Sequence, residues 1–215
     1  MNTFQPDRYL LKEQIKKYAH YIKGAVLDAG SGDGERYKSF FKFDRYVTFD
    51  INSSHGAEIV GSVEDIPVES ESFDSVVSTQ VLEHVKNPQK AAEEFYRILK
   101  PGGYCLITVP QLNELHEEPH DYFRFTKYGL EEIFGKAGFK VILIEQRGGF
   151  WSANMQMRIR YIIDLLQINK IRLLRWIFQP FIFINGVTAI LFDFIDRSRA
   201  NRKHAIGWLV IAQKL

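Results

Sequence analysis

A single cysteine, Cys105, stands in the 215 residues, so no intrachain disulfide can form and a reducing compartment is expected. A strong charge of either sign is also lacking. The 28 Lys and Arg against 26 Asp and Glu leave a net +2, too little for a general nucleic-acid binder. The opening MNTFQPDRYLLKEQIKKYAHYIKG has no apolar core ahead of a cleavage site, so no secretion signal is read and a cytoplasmic location is expected. Internal repeats and low-complexity tracts are missing as well. The longest uncharged run, Trp176 to Phe192, is interrupted by Gln179, Pro180, Asn185 and Gly186. It falls slightly short of the roughly 20 residues a membrane span needs. What is present is ordinary globular composition, 46% hydrophobic and 25% charged, with enough chain for one domain and a full core.

Periodicity predicts an amphipathic helix over about Asp7 to Lys23, with Tyr9, Leu10, Ile15, Tyr18, Ala19 and Ile22 along one side. Strands are predicted at AVLD (Ala25 to Asp28), RYVTFDI, AEIVG, SFDSVVST, YCLITVP, FKVILIEQR and AIGWLVIAQK. Between them fall helices near Glu35 to Phe41, in NPQKAAEEFYRILKPGG and in TKYGLEEIFGKAGF. The second buries Ala91, Ala92, Phe95, Ile98 and Leu99 and is stopped by KPGG. The third turns Leu130, Ile133, Phe134 and Ala137 inward and takes Gly138 as its C-cap. Alternating strands and helices imply a doubly wound, mostly parallel seven-stranded α/β sheet. The expected arrangement is a single domain: an N-terminal helix (1–24), a core (25–147), a helical insertion (148–204) and a last strand (205–213). Ligands of such sheets sit beyond the carboxyl ends of the strands, where Asp28, Asp50, Thr79 and Pro110 fall.

The stretch AVLDAGSGDGERY places Gly30, Gly32 and Gly34 directly after the first strand. Glycine loses more conformational entropy on folding than any other residue, so three together imply a tight turn that lets bare N–H groups approach a ligand. Dinucleotide turns favour G-x-G-x-x-G. Here Asp33 lies inside the turn and Asp28 just before it, which suits a cationic ligand end, an amino group or a sulfonium, better than a pyrophosphate. Asp50, at the tip of the second strand, can accept from both hydroxyls of a ribose, a role shared by both ligand classes. No metal-ligand spacing stands out, and no metal is expected.

The chain resembles the class I S-adenosylmethionine-dependent methyltransferases. The likeness runs through VLDAGSGDGERY, VTFDI, GSVEDIPVESESFDSVVSTQVLEHVKNPQKAAEEFYRILKPGGYCLITVP and GLEEIFGKAGFKV, from about Lys23 to Ile144, and again in the last strand. It implies a Rossmann-like fold, S-adenosyl-L-methionine as cofactor and S-adenosyl-L-homocysteine as product. It also implies that Asp28 meets the methionine end and that Gly30, Ser31 and Gly32 lend backbone around it. Asp50 would hold the ribose and Ile51 would pack on the adenine. Ser62 and Val63 would read the adenine edge with Glu64 beside them, and Thr79 and Gln80 would flank the methyl donor. Glu83 and His84 would build the cofactor wall, with a catalytic base as the second reading for His84, because this phrase usually shapes the pocket. The rival readings are an NAD-type oxidoreductase and a non-catalytic cofactor-binding or interaction protein.

The segment PQLNELHEEPHDYFRFTKYGL crowds titratable and aromatic groups beside a strand end, the makeup of an acceptor site. His120 or Asp121 is placed to take a proton from an acceptor hydroxyl, and Arg124 to bind a carboxylate or phosphate. This loop resembles methyltransferases of bacterial surface-polysaccharide and lipopolysaccharide gene sets, which implies a sugar or lipid-linked sugar hydroxyl as acceptor. The insertion departs from the minimal pattern. It interleaves Arg158, Arg160, Lys170, Arg172 and Arg175 with Ile, Leu and Trp, and ends in Arg197, Arg199, Arg202, Lys203 and His204. Three roles are open to it: a lid, a homodimer surface through 155–200, or a peripheral contact with the inner face of a membrane.

Overall fold

The computed structural model describes residues 3–32 and 36–215. Asp33, Gly34 and Glu35, inside the expected glycine turn, lie outside the described residues. Seven strands form one sheet: β1 (Ala25–Ala29), β2 (Arg45–Asp50), β3 (Ile59–Val60), β4 (Phe73–Thr79), β5 (Leu99–Pro110), β6 (Lys140–Arg147) and β7 (Gly207–Gln213). Their order is β3-β2-β1-β4-β5-β7-β6. The first five are parallel, with Leu27 opposite Val47 on one side and Val76 on the other. β6 and β7 close the sheet as an antiparallel pair. From β1 the chain builds outward first through β2 and β3, then in the other direction through β4 and β5. The strand order therefore reverses between β1 and β4, where open sheets leave a crevice at their carboxyl ends.

Helices α2 (Pro88–Ile98) and α3 (Lys127–Lys136) form as their sequences dictate. Asn87 caps α2, its side chain accepting from the Lys90 N–H at 3.1 Å, and Thr126 caps α3 through Gly129 N–H. Ala91, Ala92, Phe95 and Ile98 all reach 0% exposure against the sheet. Full burial of Phe95 or Ile98 is worth about 1.5–3 kcal/mol over leaving it in water. Cys105 is equally enclosed in β5, and burial pushes its thiol up.

Three local expectations are corrected. After the glycine turn the described residues hold only a single 3₁₀ turn, Lys38–Phe40, where a helix over Glu35 to Phe41 was expected. So short a segment cannot repay helix nucleation, and the Tyr37 and Phe40 rings meet at a tilt, centroids 6.3 Å apart. The KPGG stretch ends α2, but the fifth strand, expected from Tyr104, already begins at Leu99, a residue expected in the helix: Gly102 N–H donates to the Lys214 carbonyl and Lys214 N–H to the Gly103 carbonyl. The first helix, α1 (Pro6–Tyr18), gives way to a 3₁₀ turn, Ala19–Tyr21, rather than running to Lys23. Its buried line is Leu11, Ile15, Ala19 and Ile22, while Tyr9 is 47% exposed.

The chain divides into two compact units. One comprises Ile15–Gln111, Leu115–Glu145 and Trp208–Leu215 and carries most of the sheet and its main core. The other comprises the N-terminal stretch to Gln14, Leu112–Glu114 and Gln146–Gly207. In it α4 (Phe150–Leu165) and α5 (Arg172–Ile195) enclose a cluster of Ile159, Ile163, Ile168 and Ile182. Asp193, near the end of α5, accepts from the Gly149, Trp151 and Ser152 N–H groups at the start of α4, at 2.7–3.1 Å. That cap satisfies donors an isolated helix would leave open and pins the two helices as an antiparallel hairpin.

Candidate active site

The glycine turn is held from the neighbouring strand. Gly30 and Ser31 donate to the Phe49 carbonyl at 2.8 and 3.0 Å. Gly30 has φ +85°, and a Cβ there would run into the Val81 side chain, so glycine is required on both counts. Asp50 closes the turn: one carboxylate oxygen accepts from Gly32 N–H at 2.8 Å, and the other accepts from Asn52 N–H at 2.8 Å and faces His55 Nδ1 at 3.1 Å. Asp28 is 6% exposed and accepts from the Tyr46 hydroxyl at 2.7 Å. Two carboxylates and a stretch of close backbone therefore meet where β1 and β2 end.

A cleft of about 1090 Å³ opens along this edge. Asp28, Gly30, Ser31, Gly32, Asp50, Ile51, Ser62, Val63, Glu64, Thr79 and Gln80, all expected to hold the cofactor, line it, whereas Glu83, expected in its wall, is fully buried and not among the lining residues. Small-molecule pockets run about 300–1,000 Å³, so the space admits an adenosyl cofactor and part of a second molecule. Ile51 is 74% exposed, an apolar face beside Asp50 fit to cover a purine. The 62–64 stretch is steadied from α2. Glu94 accepts from Ile66 N–H, and Arg97 grips Glu94 while donating to the Ile66 and Val68 carbonyls. Burial pushes the Glu94 carboxyl up, but the Arg97 and Ile66 hydrogen bonds outweigh it and hold the group below its ordinary value. Gln80 sits at φ +58°, anchored by its N–H on the Thr108 carbonyl at 2.9 Å. A left-handed glutamine at a strand end is strain of the kind that collects at functional sites.

The loop after β5 is joined to the segment after β4. Tyr122 and Phe123 N–H groups donate to the Glu83 carbonyl at 2.8 and 3.2 Å, and His84 Nδ1 donates to the His120 carbonyl at 2.6 Å. His84, Glu117, His120 and Tyr122 thereby line one wall of the cleft. Sequence reasoning had set His84 aside as cofactor wall; its signal was the phrase VLEHV, whose partner loop lies some 36 residues on. Arg36, Tyr37 and His55 also line the cleft and were not singled out for it. Glu83, His84 and His116 bring ligand-capable atoms within 4.8 Å of one another, a set able to receive a cation.

Of the three residues expected to act on the acceptor, His120 lines the cleft, with its Nδ1 3.0 Å from the Tyr122 hydroxyl. Asp121 and Arg124 are not among the lining residues. They are bound to each other by two contacts of 2.7 Å, and the Asp121 side chain, 1% exposed, also accepts from His116 N–H. The Arg124 hydrogen bonds hold the Asp121 carboxyl far below the ordinary carboxylate range, against the opposing push of burial. A depressed folded-state value means this stabilisation is complete above about pH 4, the unfolded value, and is lost as pH falls below it. Between pH 5 and pH 3, thermal unfolding should therefore drop further in the wild type than in Asp121→Asn; equal drops would show that the pair does not anchor the loop.

Residues 27–107 match a family described as a methyltransferase domain. An uncharacterized protein of Methanocaldococcus jannaschii is 30% identical over 161 residues, which cover 66% of this chain and 78% of that one. The 2-methyl-6-phytyl-1,4-hydroquinone methyltransferase 1, chloroplastic, of Oryza sativa subsp. japonica is 28% identical over 166 residues, covering 65% of this chain. That alignment takes in 47% of the rice protein, so this chain spans about half its length. Among solved structures, phosphoethanolamine N-methyltransferase 2 of Haemonchus contortus, in complex with S-adenosyl-L-methionine, aligns with a TM-score of 0.58 at 22% identity. It covers 99% of this chain and 54% of that one, a likeness of fold.

Proposed function

This chain belongs to the class I S-adenosylmethionine-dependent methyltransferases, and on that premise we propose that its methyl acceptor is a hydroxyl of a sugar, a lipid-linked sugar or another small polar molecule. The cofactor is S-adenosyl-L-methionine, which when bound supplies an electrophilic methyl group on a positively charged sulfur. Asp50 would take the ribose, Ile51 and Val63 the adenine, and Asp28 with the Gly30–Gly32 turn the cationic methionine end. The chain's main task is then to hold the acceptor at near-attack distance and orientation, a contribution of several orders of magnitude.

One observation carries the hydroxyl reading: the setting of the His84 imidazole. A carbonyl oxygen only accepts, so the 2.6 Å contact with His120 O puts the ring proton on Nδ1. In the neutral ring Nε2 keeps its lone pair, and it stands 3.9 Å from carboxylate oxygens of both Glu83 and Glu117. A hydroxyl is a weak nucleophile that must lose its proton as it reacts, and His84 Nε2 is oriented to take it while the two carboxylates stabilise the imidazolium. His120 and Tyr122 would contact the acceptor, and the Asp121–Arg124 pair would position their loop. The likeness of this loop to methyltransferases of surface-polysaccharide gene sets supports a sugar.

Calorimetry with S-adenosylhomocysteine and with NAD, followed by product mass on an acceptor panel, tests the reading. The panel holds free and lipid-linked sugars, hydroquinones and phosphoethanolamine, each run with and without a chelator because Glu83, His84 and His116 could receive a cation. The expected outcome is binding of S-adenosylhomocysteine but not NAD, and one methyl ether on a sugar insensitive to chelation. Methylation of only an amine or a ring carbon would overturn the hydroxyl reading and leave the family intact.

A further inference from the structure

We propose that the α4–α5 hairpin docks on an anionic lipid bilayer, with α5 lying along the interface rather than across it. The inference goes beyond methyl transfer and does not depend on it. Helix α5 turns Ile182, Gly186 and Ala189 inward, and a Cβ on Gly186 would strike the Phe4 ring at 2.6 Å, so that side is fully covered within its unit. The opposite side is also apolar. Ile177, Phe181, Ile184, Leu191 and Ile195 follow one another at helical spacing and are 53–64% exposed. No charged residue falls between Arg175 and Asp193, and only 17% of the most apolar window of the helix is buried. A surface helix facing water would carry polar residues there, and a continuous exposed stripe of this size marks an interaction surface.

Charge selects the partner. The unit holding the hairpin has twelve Lys and Arg against six Asp and Glu, a net +6 in a chain whose total is +2. The cations bracket the stripe: Lys170 and Arg172 precede it, and Arg197, Arg199, Arg202 and Lys203 follow it, all exposed. The nearby acids are engaged, Asp193 on the start of α4 and Asp196 on the Trp151 Nε1–H and Ser198 N–H groups. Two copies joined through the stripe, parallel or antiparallel, would set cationic end against cationic end. Anionic headgroups neutralise both ends, with the stripe in the acyl boundary and Trp176, 78% exposed, at headgroup level. Helix α5 is long and apolar enough to cross a membrane. Its hairpin, however, leaves the sheet at Arg147 and re-enters at Gly207 in the adjacent strand. A crossing by α5 would therefore oblige α4 to cross too, carrying Arg158, Arg160 and Asp164 into hydrocarbon.

Flotation with phosphatidylcholine vesicles, with and without phosphatidylglycerol, tests the proposal. Binding should be at least about tenfold tighter when phosphatidylglycerol is present, and should weaken as salt is raised. Ile177→Glu combined with Ile184→Glu, both at exposed positions, should abolish flotation while leaving the melting temperature and S-adenosylhomocysteine affinity unchanged. Those two controls separate failure of this proposal from failure of the cofactor reading. No flotation, or equal binding to neutral vesicles, overturns it. A dimer seen by ultracentrifugation and split by the same double variant would give the stripe to a second copy and overturn it as well.

Discussion

Asp50→Ala is expected to weaken S-adenosylhomocysteine binding by about ten- to a hundredfold, measured by calorimetry, with the protein still folded. The argument is one of occupancy. Hydrogen bonds to a charged group contribute about 1.5–3 kcal/mol each, and this carboxylate has both oxygens committed. In the ligand-free protein they hold Gly32, Asn52 and His55. A bound ribose would share them, so the alanine variant loses the acceptor for the hydroxyls and slackens the glycine turn at once. Asp50→Asn keeps one acceptor oxygen and should fall between. A melting curve separates the two effects, because the turn is a surface loop while the sheet below it is closed by residues such as Leu27, Val47 and Phe49, all at 0% exposure. Unchanged affinity in the alanine variant would remove Asp50 from the cofactor site.

His84→Ala is expected to lower kcat by about 10²–10⁴-fold, the range a positioned general base contributes, while S-adenosylhomocysteine affinity changes by less than about twofold. The expectation rests on the hydroxyl-acceptor proposal. Both histidines of the wall line the cleft, but they are held differently. His84 is fixed by a 2.6 Å hydrogen bond and flanked by carboxylates on its other nitrogen. His120 is exposed, and its ring Nδ1 lies 3.0 Å from the Tyr122 hydroxyl. His120→Ala should therefore raise KM more than it lowers kcat. The reverse result, normal turnover without the His84 imidazole and a large loss without that of His120, would return the proton-accepting role to the residue that sequence reasoning favoured.

Much of this site was legible before any coordinates. Asp28, Gly30 and Asp50 fall at strand ends and in a turn, features that local sequence specifies strongly, and all three line the cleft. The helices of Pro88–Ile98 and Lys127–Lys136 were equally plain, because capping residues and a 3.6-residue apolar stripe agree in both. The failures have physical causes as well. The stretch after the glycine turn looked helical, but it is too short for local hydrogen bonds to outweigh nucleation. In α1 the expected stripe began at Tyr9 and Leu10, but Leu11, about 100° round the helix from Leu10, is the residue buried with Ile15, and only the surface the helix meets could decide that.

Residue order alone was enough to indicate an alternating α/β sheet with glycines and carboxylates at its carboxyl edge, and the resemblance of that stretch to the methyltransferase family supplied the adenosyl cofactor. It was not enough to bring the Glu83–His84 pair to the loop that begins dozens of residues later, where His84 donates to the His120 carbonyl. Nor could it reveal that only one of the two apolar faces of α5 is covered. Those facts are long-range. They depend on hydrogen bonds and packing between segments whose separation carries no local signature, and they exist only once the chain has closed on itself.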